Sequence, residues 1–407
     1  MINWIFSISL YFITIFWGFY LDGGSSKAMS IKRSRVKRSG IIYLIWLYVF
    51  LCFGYMTGSD WFIFERVYLD FDSYSNRYAS EPASWMIFKY GHYIISDFWL
   101  FYGLAKCAYL FSLFHLLSKI TENKYLAVAL LIPCQLGILL IQNPFRFMLA
   151  AICINYALFI LYDRLTNKKT KSQIMTISLL ILFAACFHNA CILYIVLFPI
   201  LLLVKKIERI DEIILFVIYL LLTYIFSDVS LLYEWGSNTI NYLLMYVEMK
   251  DYAQSYLADN EGGFFTIGNI FRIVIFAIVL LSKKKVVSAV DYGNVIYGLT
   301  IAYLLIVRVF SMIPTGFRYS LPFATFYVVY IIYMKRTNKI LAHILILYIL
   351  FAFGKKLWTV YDMIPYSNSI PYILTNHLPY NERVNYNPTE YYKRTGETPD
   401  ILIMDIR

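Results

Sequence analysis

The sequence predicts an all-α fold, a polytopic integral membrane protein of about twelve transmembrane helices with interfacial or re-entrant helices on its outer side and both termini extracytoplasmic. Three observations carry this. The 407 residues are 60% hydrophobic and 15% charged, whereas soluble chains sit near half apolar and about a quarter charged. Long apolar runs recur from one end to the other, close to the ~20 residues a helix needs to cross ~30 Å of hydrocarbon. The charge is sorted as well, because the connecting segments alternate between basic and neutral or acidic.

The spans fall at 2–20, 40–58, 98–118, 125–142, 145–163, 173–187, 190–204, 211–227, 266–282, 289–310, 317–334 and 339–354. A signal peptide would open on positive charge, but Met1-Ile2-Asn3-Trp4 has none and the basic cluster follows the run, so 2–20 reads as a retained helix. The second span follows the run from Lys27 to Arg38 and closes on Gly58-Ser59-Asp60. Asp97 and Lys119 bracket the third. Gln142-Asn143-Pro144 turns the fourth into the fifth, since the residue before a proline avoids helix. Tight turns at His188-Asn189 and Pro314-Thr315-Gly316 mark two later reversals, and lysine or arginine groups close the remaining ends.

The short basic segments hold 21 of the 36 basic residues but 7 of the 25 acidic ones. By the positive-inside rule they are cytoplasmic. The net charge of +11 is therefore topological and does not point to nucleic acid. All six cysteines (Cys52, Cys107, Cys134, Cys153, Cys186, Cys191) lie in or beside apolar spans, without metal-ligand spacing, and read as small apolar packers.

Nearly all remaining sequence lies on the outer side. The organisation expected is one transmembrane domain, 1–354, with outer loops 59–97 and 228–265, then an extracytoplasmic tail, 355–407. Within the first loop, Trp85 to Tyr93 is apolar but too short to span, which suits an interfacial helix or re-entrant hairpin. The second is acidic, with Ile240 to Met249 as a further amphipathic helix, and the tail is rich in Tyr, Pro and Asn. Loops this long carry function more often than mere connection. The two halves do not echo one another as transporter repeats do, so an outward-facing site at the membrane boundary is the simpler reading.

Charges at span borders are costly unless they work or are paired. Arg146, Arg272, Arg308 and Arg318 stand near the outer ends of four spans. A lone arginine there ordinarily snorkels to lipid headgroups. Four at one face point to a shared anion, because guanidinium binds phosphate in a fork and keeps its charge. His188 is a turn residue, a proton acceptor or a phosphate ligand, and Lys106 lies deep in the third span, facing a polar cavity or a carboxylate. Asp60, at the outer end of the second span, is the best placed carboxylate; Glu81 precedes the interfacial helix, where it caps or catalyses. Asp70-Phe71-Asp72 has a metal–nucleotide spacing that acidic loops show by chance, and no metal site is expected. The 38 tyrosines suit sugar binding and membrane interfaces equally.

The chain resembles the EpsG-like, Wzy-type polysaccharide polymerases of bacterial capsule, exopolysaccharide and O-antigen pathways. The resemblance rests on Gly58-Ser59-Asp60-Trp61, Glu81-Pro82-Ala83-Ser84-Trp85, Arg146-Phe147-Met148-Leu149-Ala150-Ala151, Phe187-His188-Asn189-Ala190 and Arg318-Tyr319, in matching order over about residues 50 to 335. Ala83 stands where that pattern usually has glycine. The resemblance implies a glycosyltransferase of the bacterial cytoplasmic (inner) membrane, facing outward. It would join undecaprenyl-diphosphate-linked repeat units, without cofactor or metal, in the company of a flippase and a chain-length regulator. It further implies Arg146, Arg272 and Arg318 as diphosphate ligands, Asp60 or Glu81 as general base, and His188 in support of either task. Two other readings stay open on the residues alone: a transferase adding one sugar from a lipid monophosphate, and a flippase of lipid-linked oligosaccharides.

Overall fold

A computed structural model of the chain describes residues 2–23, 30–58, 60–73, 80–142, 144–167, 172–226, 265–310, 316–359, 363 and 366–396. The acidic loop expected at 228–265, with its helix at 240–249, lies outside the described residues except for Phe265.

A helical segment lies under each expected span. In chain order these are α1 (Ile2–Gly23), α2 (Ser30–Leu47), α3 (Trp61–Leu69), α4 (Pro82–Ile94), α5 (Phe98–Ile120), α6 (Lys124–Leu131), α7 (Phe145–Asn167) and α8 (Ser172–Phe187). There follow α9 (Leu197–Lys206), α10 (Glu212–Ile225), α11 (Ile267–Ser288), α12 (Gly293–Phe310), α13 (Ala324–Thr337), α14 (Lys339–Thr359), α15 (Ile370–Leu374) and α16 (Tyr380–Thr395). π-helical stretches extend α2 to Cys52 and α6 to Gln142, while 3₁₀ turns precede α9 and α13. Among the described residues, six helices are long and apolar enough to cross a membrane: Trp4–Leu21, Phe98–Ile120, Lys124–Gln142, Phe145–Asn167, Asn189–Lys206 and Lys339–Thr359. The protein is a multi-pass, all-α membrane protein.

Local chemistry sets the ends. Asp97 caps α5 by accepting from the Leu100 N–H at 2.8 Å, Asp211 caps α10, and Thr266 caps α11. Helix α11 runs on through Lys283 to Lys285, past the expected end at 282, because lysines suit a helix C-terminus and Lys283 meets Glu212 at 2.8 Å. The second expected span, 40–58, ends early. Its helix stops at Cys52, and Gly54–Tyr55 (β1) pairs antiparallel with Ser367–Asn368 (β2) of the tail. The segment expected as an interfacial helix or re-entrant hairpin is helical, as α4, with Phe88 buried and Met86, Tyr90 and Tyr93 exposed along one face.

By internal packing the chain divides into two units: residues 1–156, 182–188 and 347–407, and residues 157–181 and 189–346. In the first, α1 packs on α6, and the Tyr43 hydroxyl donates to the Thr14 carbonyl at 3.1 Å. Deeper in this unit Gln135 donates to the Tyr109 hydroxyl at 2.6 Å, and Asn155 to Ser112 at 2.9 Å. In the second, the Tyr330 hydroxyl donates to the Val279 carbonyl at 3.0 Å, and Tyr219 stacks on Phe276 with centroids 4.0 Å apart. Polar groups within apolar helices find partners on neighbouring helices, as hydrocarbon offers none.

Candidate active site

The carboxylate at the end of the second span owes its place to a turn that only glycine completes. Gly58 has φ +90°, and a Cβ there would lie 2.5 Å from the Gln142 carbonyl oxygen and 2.8 Å from that of Ile141. The backbone of the first loop thus lies directly on the end of the π-helical stretch after α6. Two residues on, Asp60 occupies the N-cap position of α3, half-buried and with no side-chain capping bond, within electrostatic reach of Tyr102 on α5.

Past the same Gln142 the chain turns at Pro144 into α7, whose second residue is Arg146. Its guanidinium Nη1 donates to Glu81 Oε2 in an ion pair. Glu81 is buried at the start of α4, while a third of the Arg146 side chain remains exposed. The Ser84 hydroxyl of α4 donates to the Phe187 carbonyl at 2.7 Å, which ties α4 to the end of α8. His188 follows immediately, its ring perpendicular to Phe147 with centroids 5.8 Å apart. Glu81, Arg146 and His188, scattered in sequence, are thereby gathered at the meeting of α4, α7 and α8. The positive end of the α7 macrodipole adds to the charge of Arg146 there.

The other three border arginines, Arg272, Arg308 and Arg318, belong to the second unit. The side-chain oxygen of Asn269 on α11 accepts from Arg308 Nη1 at 3.0 Å and from Arg272 Nη1 at 3.3 Å. Arg308, from α12, also donates to the Thr223 carbonyl of α10 at 2.9 Å and is only 1% exposed. Arg318 sits half-buried in the 3₁₀ turn before α13. Asn269, which sequence reasoning used only as context for Arg272, is the hub that lets two cations approach. Asn269→Leu is expected to cost about 1–3 kcal/mol, read as a lower denaturation midpoint of the full chain in detergent. Asn269→Asp, which places negative charge between the guanidiniums, is expected to hold or raise it. A raised midpoint for the leucine variant would refute the hub.

Lys106 is fully buried on α5, and its ammonium lies 4.3 Å from the Tyr102 ring centroid. The ring face offsets part of the desolvation cost. Asp70 and Asp72 are exposed, with Asp72 4.0 Å from Lys89. Among the described residues no group of three or more His, Cys, Asp and Glu side chains is placed to hold a metal ion.

Sequence reasoning passed over the tail. Arg383 of α16 donates from Nη1 to both carboxylate oxygens of Glu65 on α3, at 2.7 Å each. His377 meets Asp97 at 2.6 Å, and Tyr55 stacks on Tyr372 with centroids 4.3 Å apart. Burial pushes the Tyr55 phenol up to about 12, so it stays neutral as an acceptor for the Leu378 N–H at 3.3 Å. The one sequence signal was the four-residue spacing of Arg383 and Asn387, which puts both on one helix face.

Fold and site together define a multi-pass membrane protein whose helix ends gather carboxylate, guanidinium and imidazole beside one loop. The chain belongs to the EpsG family, whose family model matches residues 37–374. Neither a curated protein nor a solved structure matches it. The family match takes in Asp60, Glu81, Arg146, His188, Arg272 and Arg318, and ends before α16 begins.

Proposed function

We propose that the protein polymerises undecaprenyl-diphosphate-linked oligosaccharide repeat units for a bacterial capsule, exopolysaccharide or O-antigen, at the outer face of the cytoplasmic membrane. Membership of the EpsG family supports a polysaccharide polymerase. The observation that carries the reading furthest is the Glu81–Arg146 ion pair, built beside His188 and next to the turn that holds Asp60.

In this reading a hydroxyl of the incoming unit attacks the anomeric carbon of the growing glycan. The bond from that carbon to the diphosphate oxygen breaks, the lipid diphosphate leaves, and the hydroxyl proton passes to a carboxylate. Arg146 neutralises the departing diphosphate, a task suited to the planar donors of guanidinium. Glu81 orients Arg146 through the ion pair between them. Asp60, at the head of α3, is the proton acceptor in this reading, with His188 in support. Arg272 and Arg318 carry phosphate-binding charge in the second unit, and the same assay on their own variants reads their part. A flippase supplies the units and a chain-length regulator limits the product.

The test is glycan length on the lipid carrier, in cells lacking the protein and in cells carrying Asp60→Asn. Single repeat units at the outer face in both are expected. Long polymer in the deletion strain would sink the polymerase reading, and units trapped inside would indicate a flippase. Wild-type polymer with Asp60→Asn would remove Asp60 from the reaction.

A further inference from the structure

Helix α16 lies beyond the family match, which ends at residue 374. Its sequence, Tyr380 to Thr395, is polar, yet Arg383 and Asn387 are 7% and 5% exposed. What they touch is the segment around Asp60. The Asn387 side-chain amide donates to the carbonyl of Met56, a residue held at φ +57°. A non-glycine residue in that region is strained and persists only where its surroundings hold it. Arg383 takes the far end of the segment. It pairs with Glu65, itself 5% exposed, and its guanidinium carbon lies 5.4 Å from the ring centroid of Trp61, the first residue of α3. Its Nε donates to the Leu378 carbonyl at 2.8 Å, which fixes the fork to its own chain.

We propose that α16 is a positioning clamp for the proton-accepting carboxylate, in which Asn387 holds the turn before Asp60 and Arg383 holds the helix after it. The inference rests on the reading of Asp60 given above. Between the two anchors lie Ser59, Asp60 and the turn at Gly58, so both sides of the carboxylate are referred to one helix. A buried ion pair adds little net stability compared with apolar packing, and its best-attested service is to fix register. Arginine does this by holding Glu65 through Nη1 and the Leu378 carbonyl through Nε in one rigid plane, which the point charge of lysine does not.

The test uses the full-length protein in lipid vesicles, with lipid-diphosphate repeat units extracted from the deletion strain as substrate. Arg383→Lys keeps the charge and loses the fork; Asn387→Leu keeps the bulk and loses the hydrogen bond. Each is expected to lower kcat at least tenfold, with KM within threefold and the melting midpoint close to wild type. A bulk structural role would instead lower the yield of folded protein and leave kcat per folded molecule unchanged. Wild-type kcat in both variants overturns the clamp. If Arg383→Lys does not accumulate, Asn387→Leu alone decides by the same criterion. Asp60→Asn is assayed alongside: an inactive Asp60 variant with fully active clamp variants overturns the clamp only, whereas a fully active Asp60 variant overturns both readings.

Discussion

Arg146→Lys is expected to leave single repeat units on the lipid carrier, with long polymer reduced at least a hundredfold, although the positive charge is kept. Guanidinium presents parallel N–H donors, so it can serve Glu81 and a phosphate oxygen in one plane; an ammonium cannot hold that geometry. Arg146→Ala is the harsher change. It leaves Glu81, buried at the head of α4, without the ion pair, and removing one partner of a buried pair costs about 3–5 kcal/mol. Lower protein levels are therefore expected with alanine and not with lysine. Glu81→Gln separates orientation from charge: it should fold, retain Arg146 nearby and lose about tenfold in polymer yield, with a coupling to Arg146→Lys of about 0.5–3 kcal/mol in a double-mutant cycle. Wild-type chain length in the Arg146→Lys strain would refute the assignment.

The second large effect is expected at a residue with no chemistry of its own. Gly58→Ala adds one methyl group, yet that carbon would lie 2.5 Å from the Gln142 carbonyl oxygen in a backbone held at φ +90°. Both costs fall on backbone atoms that cannot rotate away, and left-handed geometry alone costs a side chain about 1–2 kcal/mol. The turn must move, taking Asp60 with it. Polymer synthesis should fall to the level of Asp60→Asn, while membrane insertion is retained because the apolar helices are untouched. A Gly58→Ala protein with normal polymer length would show that the turn relaxes without consequence.

These two residues show how legibility divides. Arg146 and Glu81 each stood out in the sequence, one as a border charge and one ahead of a helix, but their pairing across 65 positions did not. Glu81 was open as a base or a cap, and the structure pairs it with Arg146. Gly58 was recognised as part of a short pattern, while its reason, a close approach to Gln142, belongs to the fold. Arg308 was read as another border charge, yet it is buried against Asn269 and Thr223. The tail was read only as an extracytoplasmic segment rich in Tyr, Pro and Asn. Only its contacts with Met56, Trp61 and Glu65 reveal a buried face.

By itself the sequence determined the class of molecule and the approximate place of its helices. Transfer of a segment into hydrocarbon depends on the summed polarity of its own ~20 residues, which is a local property. It also supplied the residue types suited to the chemistry, since charge, donor geometry and proton affinity belong to each side chain. Tertiary structure decided which of them meet. The end of the second span became a strand and a glycine turn because the tail and Gln142 lie against it, and Glu81 became a counter-ion because α4 and α7 bring it to Arg146. Such pairings depend on distances of a few ångströms between residues far apart in the chain, which no local composition encodes.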